Sequence, residues 1–333
     1  MSNIHKPDSH ARLLDIDRAK GLAILLVVFG HVVARQPPLG NEWYSEAKGA
    51  VYSFHMAFFI FLSGIVFFLR AQPVTDFAEF TSSTRKRFMR LMPAYFLFAG
   101  IVFVGKWGAQ AFVHVDNPVK GMGALLDIVL FPMQSVSSFL WYVYVLFLLS
   151  VVCLALFTIT KGRLWPLLVI GVLLQFAPPI QFLGLGQFSK YFLFFVLGGL
   201  AITFWERYVQ WLDRLWIPGL IGLVFFLALG GHSGRGWIVA ALLSIPALHG
   251  LCRREFIGSN ILIYLGSLTF SIYLMNTLAI GATKAVMLKF ISWDGVNFVL
   301  LFLPVLFAAG VLIPMVLKKQ LFPKFKWLDR ITS

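Results

Sequence analysis

Apolar residues in this chain do not recur as 3.6-residue stripes on a polar background. They sit in blocks roughly 20 residues long, such as 296–317, and a block of about that length spans a hydrocarbon core of about 30 Å. Ten spans can be read: roughly 17–36, 50–69, 91–111, 139–160, 164–182, 190–206, 215–231, 236–252, 261–282 and 296–317. The longest polar connection, about 107–138, contains 121–131, an apolar stretch too short to cross easily and suited to lying along the interface or re-entering. No internal repeat, low-complexity tract or water-soluble domain interrupts the series. The pattern predicts an all-α integral membrane protein with about ten transmembrane helices, forming a single membrane domain over residues 1–333.

Composition agrees. The chain is 59% hydrophobic and 13% charged, about half the charged share usual in a soluble domain. The formal net charge of +14 would suit nucleic acid, but its distribution argues against that partner. The charges alternate in density between the apolar blocks. With a cytoplasmic N-terminus, the inner segments hold Lys6, Arg12, Arg18, Lys20, Arg70, Arg85, Lys86, Arg87, Arg90, Lys161, Arg163, Arg207, Arg214, Arg253, Arg254, Lys318, Lys319, Lys324, Lys326 and Arg330. These are 20 of the 28 basic residues; Arg35, Lys48, Lys106, Lys120, Lys190, Arg235, Lys284 and Lys289 make up the other 8. The bias follows the positive-inside rule, and an even number of spans places both termini in the cytoplasm. Residues 1–20 are polar and basic, without the short apolar core and cleavage site of a signal peptide, so the first block is expected to be a retained helix. Cys153 and Cys252 lie in apolar blocks far apart in sequence and read as packed thiols, with neither a disulfide framework nor a metal site implied.

The first span carries ionisable groups that a lipid environment disfavours. Asp15, Asp17, Arg18 and Lys20 precede its fully apolar part, 21–30, and His31 interrupts the far end. A charge at the centre of a membrane helix costs about 2.5–3.5 kcal/mol on insertion scales, so it calls for a partner, a cavity or a function. Lys20 and His31 are 11 residues apart, which returns to within about 20° of the same helix face with a rise of about 16 Å, and Asp17 lies about 40° from His31. A bland account keeps Lys20 and Asp17 snorkelling to the inner headgroups and His31 at the outer interface. The second span supplies His55, a few residues inside its outer end. Two imidazoles at one depth suit proton transfer, because a histidine is easily held near neutrality. A metal would want a third or fourth ligand, and no Cys, Asp or Glu falls at that depth in an adjacent span. Ser63-Gly64 lacks the flanking glycine of a nucleophile elbow.

The loop after the second span carries Arg85, Lys86, Arg87 and Arg90, directly before Leu91-Met92-Pro93. The cluster is an orientation signal, and it is equally suited to clamp a phosphorylated ligand, since arginine pairs bidentately with phosphate.

These features, in this order, resemble the membrane acyltransferase-3 family, and within it the fucose 4-O-acetylase-like members. Leu14-Asp15-Ile16-Asp17-Arg18-Ala19-Lys20-Gly21, continuing to Phe29-Gly30-His31, is similar to the family's opening signature of a basic residue, ten residues, then histidine. Tyr52-Ser53-Phe54-His55-Met56-Ala57-Phe58-Phe59, continuing to Ser63-Gly64, resembles the second-span motif, with Ala57 where proline is common. Arg87-Phe88-Met89-Arg90-Leu91-Met92-Pro93-Ala94-Tyr95 resembles the arginine motif that opens the third span. Leu140-Trp141-Tyr142-Val143 and Tyr191 to Gly198 are weaker, supporting matches. The late-span motif, Ser267-Leu268 to Met275-Asn276, ends in Asn276 where relatives typically carry histidine, and Lys20 stands where many carry arginine.

The resemblance implies transfer of an acyl group, usually acetyl from acetyl-CoA, to a carbohydrate hydroxyl at or across a bacterial plasma membrane. Acetyl-CoA would be a co-substrate, with no cofactor bound. On this reading His31 is general base or transient acyl carrier and His55 orients or relays. Arg87, Arg90, Lys20 and Asp17 serve the donor. Trp141 and Tyr142 offer rings to a sugar or lipid-linked glycan, against their default role as interfacial anchors in contact with membrane lipid. The competing class is a transporter or flippase for a glycolipid or polysaccharide precursor. It would show paired interrupted spans in corresponding halves, whereas the buried charges here concentrate in the first three spans. The topology yields a direct expectation: a tag fused after Ser333 should be inaccessible from outside intact cells, and external labelling there would overturn the assignment of sides.

Overall fold

The computed structural model describes residues 13–112, 115, 117–231, 233–254 and 260–333; Lys6 and Arg12, counted above among the inner basic residues, lie outside them. Among the described residues the regular structure is all helical, with no strand. In chain order the helices are α1 (Leu14–His31), α2 (Glu42–Arg70), α3 (Phe77–Ala109), α4 (Ala124–Leu130), α5 (Ser138–Ile159), α6 (Trp165–Phe176), α7 (Phe182–Thr203), α8 (Trp205–Ala228), α9 (Gly234–Cys252), α10 (Asn260–Met287), α11 (Gly295–Lys324) and α12 (Lys326–Ile331). Eight of these, α2, α3, α5 and α7 to α11, are long and apolar enough to cross a membrane. The other two expected spans are helical as well. They fall short for local reasons: α1 is loaded with charge in its first two turns, and α6 is short. The chain is an all-α integral membrane protein. Ile217, Ile221, Val224 and Phe225 form an exposed apolar stripe along α8, spaced as one helix face and suited to lipid rather than water.

The chain forms two compact units, one of residues 1–62 and 204–333, the other of residues 63–203. In the first, α1 is nearly enclosed: Ile16, Ala19, Ala23, Ile24, Val27 and Val28 are all buried. Its main neighbour is α10, against which the 303–316 stretch of α11 also packs. Missing side chains allow the approach. A Cβ at Gly21 would overlap the carbonyl oxygen of Leu262, and one at Gly266 would overlap that of Asp17. Small residues at such contacts let membrane helices close up where no hydrophobic effect drives them together. Asp17 meets Gly266 near the start of both helices and His31 meets Asn276 further along both, so α1 and α10 run in the same direction. The first and ninth spans of the charge-derived topology cross in the same sense.

Polar contacts in this unit sort to two ends. At one, Asp15 binds Arg253 at 2.9 Å, and Asp213 binds Arg253 at 3.2 Å and Arg254 at 3.1 Å. Arg18 donates to the Cys252 carbonyl at 3.3 Å. Burial works against the Arg253 charge, but the carboxylates of Asp213 and Asp15 prevail and raise its pKa. Lys318, largely buried, donates to the Asp329 carboxylate and carbonyl, both at 2.7 Å, and so ties α12 to α11. The other end holds His31, Lys48 and the bond from Asn41 to the Gly295 carbonyl. These pairs join only segments that the basic-residue count assigns to one side.

In the second unit, α5 packs against α3 and α7, and α6 against α7. Gly64 admits the backbone of Phe195. Arg85, Lys86, Arg87 and Arg90 do not lie in a loop as expected; they ride on the early turns of α3. The reason is a strong start signal. The Asp76 carboxylate accepts from the Glu79 backbone N–H at 2.8 Å, while the Glu79 carboxylate accepts from the N–H and hydroxyl of Thr75, a capping arrangement that begins the helix well before its apolar part. The connection at 107–138 contains the short α4 and folds onto α3: Tyr95 donates to the Ile128 carbonyl at 2.5 Å, and Phe103 clusters with Val119 and Val136.

Gly266→Val tests the close contact. The new side chain meets backbone, which cannot swing aside, so a loss of about 1–3 kcal/mol of stability is expected, read as a lower unfolding temperature in detergent. An unchanged unfolding temperature would contradict the packing of α1 on α10.

Candidate functional site

The site is built around the last turn of α1. A helix leaves its final four carbonyls without intrahelical partners, and in an apolar setting each must find one within the protein. Helix α2 supplies donors from one face to two of these and to two carbonyls just beyond the helix. Tyr44 donates its hydroxyl to the Phe29 carbonyl, Tyr52 donates to Gly30 at 2.9 Å, and Lys48 donates to Val33 at 2.6 Å and Ala34 at 3.4 Å. Tyr44, Lys48 and Tyr52 are four residues apart in turn, one above another on the helix. The Lys48 ammonium also complements the negative end of the α1 dipole and lies 5.2 Å from the Tyr52 ring centroid.

His31 is the last residue of α1. Its Nδ1 lies 2.6 Å from Asn276 Oδ1 and 3.2 Å from the Thr277 hydroxyl. Asn276 is fully buried, and its amide N–H groups donate to the carbonyls of Ile272 at 2.9 Å and Tyr273 at 2.8 Å, one turn back on α10. The Thr277 hydroxyl also donates to Asn276 Oδ1 at 3.2 Å.

His55 is buried, and its Nδ1 donates to the Val51 carbonyl at 2.8 Å. Its ring stacks on Tyr52 at 5.0 Å, with an interplanar angle of 29°. Tyr52 therefore links the two expected histidines, its hydroxyl on the carbonyl that precedes His31 and its ring on His55. Lys20 and Asp17 pair with each other at 3.8 Å, both partly exposed. In the second unit the Arg87 guanidinium lies over the Phe67 ring, 4.6 Å from its centroid, and donates weakly to the Ser83 carbonyl at 3.4 Å. Arg90 is exposed one turn on. The Trp141 ring stacks on Tyr191 at 5.4 Å and 18°. Tyr142 is buried, sharing a 2.7 Å hydrogen bond with the Ser63 hydroxyl.

Sequence reasoning singled out His31 but passed over the side chains that hold it. In the sequence Asn276 stands out only as a departure from a histidine and Thr277 not at all, and nothing there marks a role for Tyr44, for Lys48 beyond its charge, or for Tyr52 beyond its place in the second-span motif. The four-residue spacing of the last three is a signal that could have revealed them. A second polar group, Tyr208 with the buried His249 at 2.7 Å and His249 with Asp15 at 3.6 Å, sits at the other end of α1; of these only Asp15 stands out in the sequence. Among the described residues no three His, Cys, Asp or Glu side chains gather as metal ligands would.

Fold and site together define a polytopic helical membrane protein with a half-buried, amide-held histidine at the end of its first helix. The family model described as an acyltransferase domain matches residues 13–319, and the chain belongs to that acyltransferase family. The nodulation protein NolL of Mesorhizobium japonicum is 24% identical over 225 residues, covering 66% of this chain and 56% of NolL. The chain thus spans little more than half the length of that relative. No solved structure gives a significant match.

Proposed function

We propose that the chain is a membrane O-acyltransferase of the bacterial plasma membrane. It moves an acetyl group from cytoplasmic acetyl-CoA to a hydroxyl of a cell-envelope or exported carbohydrate, with His31 as general base. The observation that supports this most is the His31 imidazole held at Nδ1 by Asn276, in a chain of the acyltransferase family. A histidine bound in this way through one ring nitrogen presents the other as the basic one.

In the proposed reaction the acceptor hydroxyl oxygen attacks the thioester carbonyl carbon while its proton passes to His31 Nε2. The tetrahedral adduct collapses, the carbon–sulfur bond breaks, and the imidazolium returns the proton to the CoA sulfur. The products are the acetyl ester and free CoA, and the base is restored. His55 is assigned to orientation or relay. Arg87 and Arg90 are assigned to the donor phosphates, which arginine binds with charge and geometry together. Lys20, paired with Asp17, is assigned to the donor as well. Trp141, stacked on Tyr191, is assigned to the sugar face of the acceptor. Tyr142 belongs to the same assignment but contributes from beneath, since its ring is buried.

His31→Ala is expected to abolish acetylation at unchanged membrane levels, a loss of about 10²–10⁴-fold, read by mass spectrometry of envelope glycans from cells carrying each form. Wild-type glycan acetylation in that variant would end the assignment. For the donor site, the Arg87→Ala, Arg90→Ala double variant should bind acetyl-CoA at least about tenfold more weakly, since a charge-assisted hydrogen bond is worth about 1.5–3 kcal/mol. Orientation should be kept, because Arg70, Arg85 and Lys86 remain on the same side. Unchanged affinity would send the search for the phosphate site to Lys20 and Arg18.

A further inference from the structure

We infer that Asn276 is the positioning residue of His31, fixing which ring nitrogen is basic; the inference rests on the reading of His31 as general base. The amide orientation follows from its partners. Both amide N–H groups are taken by the carbonyls of Ile272 and Tyr273. Turning the amide over would set its oxygen against those two carbonyl oxygens and its N–H groups toward His31. The oxygen therefore faces the ring at 2.6 Å, and an amide oxygen can only accept. Nδ1 must then carry hydrogen, which leaves the Nε2 lone pair as the base. The Thr277 hydroxyl donates to the same amide oxygen, which holds that oxygen in place without competing for the proton.

The choice of an amide has a chemical consequence. A carboxylate at this position would stabilise the protonated ring, whereas a neutral acceptor orients it and adds no charge. The charged and titratable groups on the helices around this end of α1 are Glu42, Tyr44, Glu46, Lys48, Tyr52 and His55 on α2 and Tyr273 and Lys284 on α10, while the 303–316 stretch of α11 contributes none. The carboxylates among them, Glu42 and Glu46, are exposed, Lys284 lies over the Trp293 ring, and the Lys48 ammonium is engaged by the Val33 and Ala34 carbonyls.

Asn276→Leu removes the acceptor while keeping a similar volume, and Asn276→Asp restores an acceptor with charge. Two readouts are made on the full-length protein in detergent or nanodiscs. The first is the His31 tautomer, by nitrogen-15 NMR of the imidazole ring, with His31→Gln used to assign the signal. The wild type should show hydrogen on Nδ1, Asn276→Leu a mixture of tautomers, and Asn276→Asp hydrogen on Nδ1 again. The second is the pH dependence of acetyl transfer. Asn276→Leu should lose about 10²-fold or more in kcat with little change in KM, as happens when an orienting group is lost and the wrong tautomer appears. Asn276→Asp should recover much of that activity, with the acidic limb of its pH profile moved to higher pH, because a base that holds its proton more tightly is freed later. A merely structural asparagine would give equal losses in both variants, an unmoved acidic limb and an unmoved His31 tautomer, and that result would overturn the inference. If the tautomer responds as expected but no form transfers acetyl groups, the positioning stands and the catalytic reading of His31 fails.

Discussion

A helix that ends away from water presents carbonyl groups that nothing in the helix can satisfy, and this constraint organises the first unit. Helix α1 ends at His31, and the carbonyls of Phe29 and Gly30 in its last turn and of Val33 and Ala34 just beyond it take side-chain donors from outside the helix. Tyr44, Lys48 and Tyr52 provide them from one face of α2. A side chain on the last turn is therefore fixed in depth and direction by bonds to its own backbone. Because Tyr52 also stacks on His55, the second helix carries its histidine in register with the end of the first. The polar residues that look expensive in an apolar sequence are thus the ones that make the end of α1 rigid.

The opposite end of α1 obeys the same rule with charge in place of hydroxyls. Asp15 pairs with Arg253, and Arg253 and Arg254 share Asp213. A broken pair would leave a partly buried charge uncompensated, a loss that is severe for groups taken out of water. Between the two ends, Gly21 and Gly266 let α1 and α10 close to backbone contact. That contact sets the relative register of the helices, and the register brings Asn276 to His31. The catalytic assignment depends on this chain of causes: glycine contact, helix register, amide to imidazole.

The membrane class is legible in the sequence because apolar length is a strong signal; all ten expected spans are helical, and eight of them are long and apolar enough to cross a membrane. His31 was legible as an ionisable group where none is expected. Other features were hidden for physical reasons. The basic cluster read as a loop because charges suggest water, yet Asp76 and Glu79 start the helix ahead of it. Asn276 was seen as a missing histidine, because its role depends on the register of α1 against α10, which no local pattern encodes. Trp141 and Tyr142 read alike as neighbours in sequence, but adjacent helix positions point about 100° apart, and one lies on Tyr191 while the other is buried on Ser63.

The central claim is that the His31 side chain carries the proton of an acyl transfer within this chain. Its most direct test uses purified protein reconstituted in lipid vesicles, acetyl-CoA labelled in the acetyl group and a carbohydrate hydroxyl acceptor. The appearance of label in the acceptor is followed alongside free CoA thiol. The account predicts one thiol released per acetyl ester formed by the wild type, and neither product above background with His31→Gln, although that protein still binds acetyl-CoA. Stoichiometric ester formation at the wild-type rate by His31→Gln would contradict it.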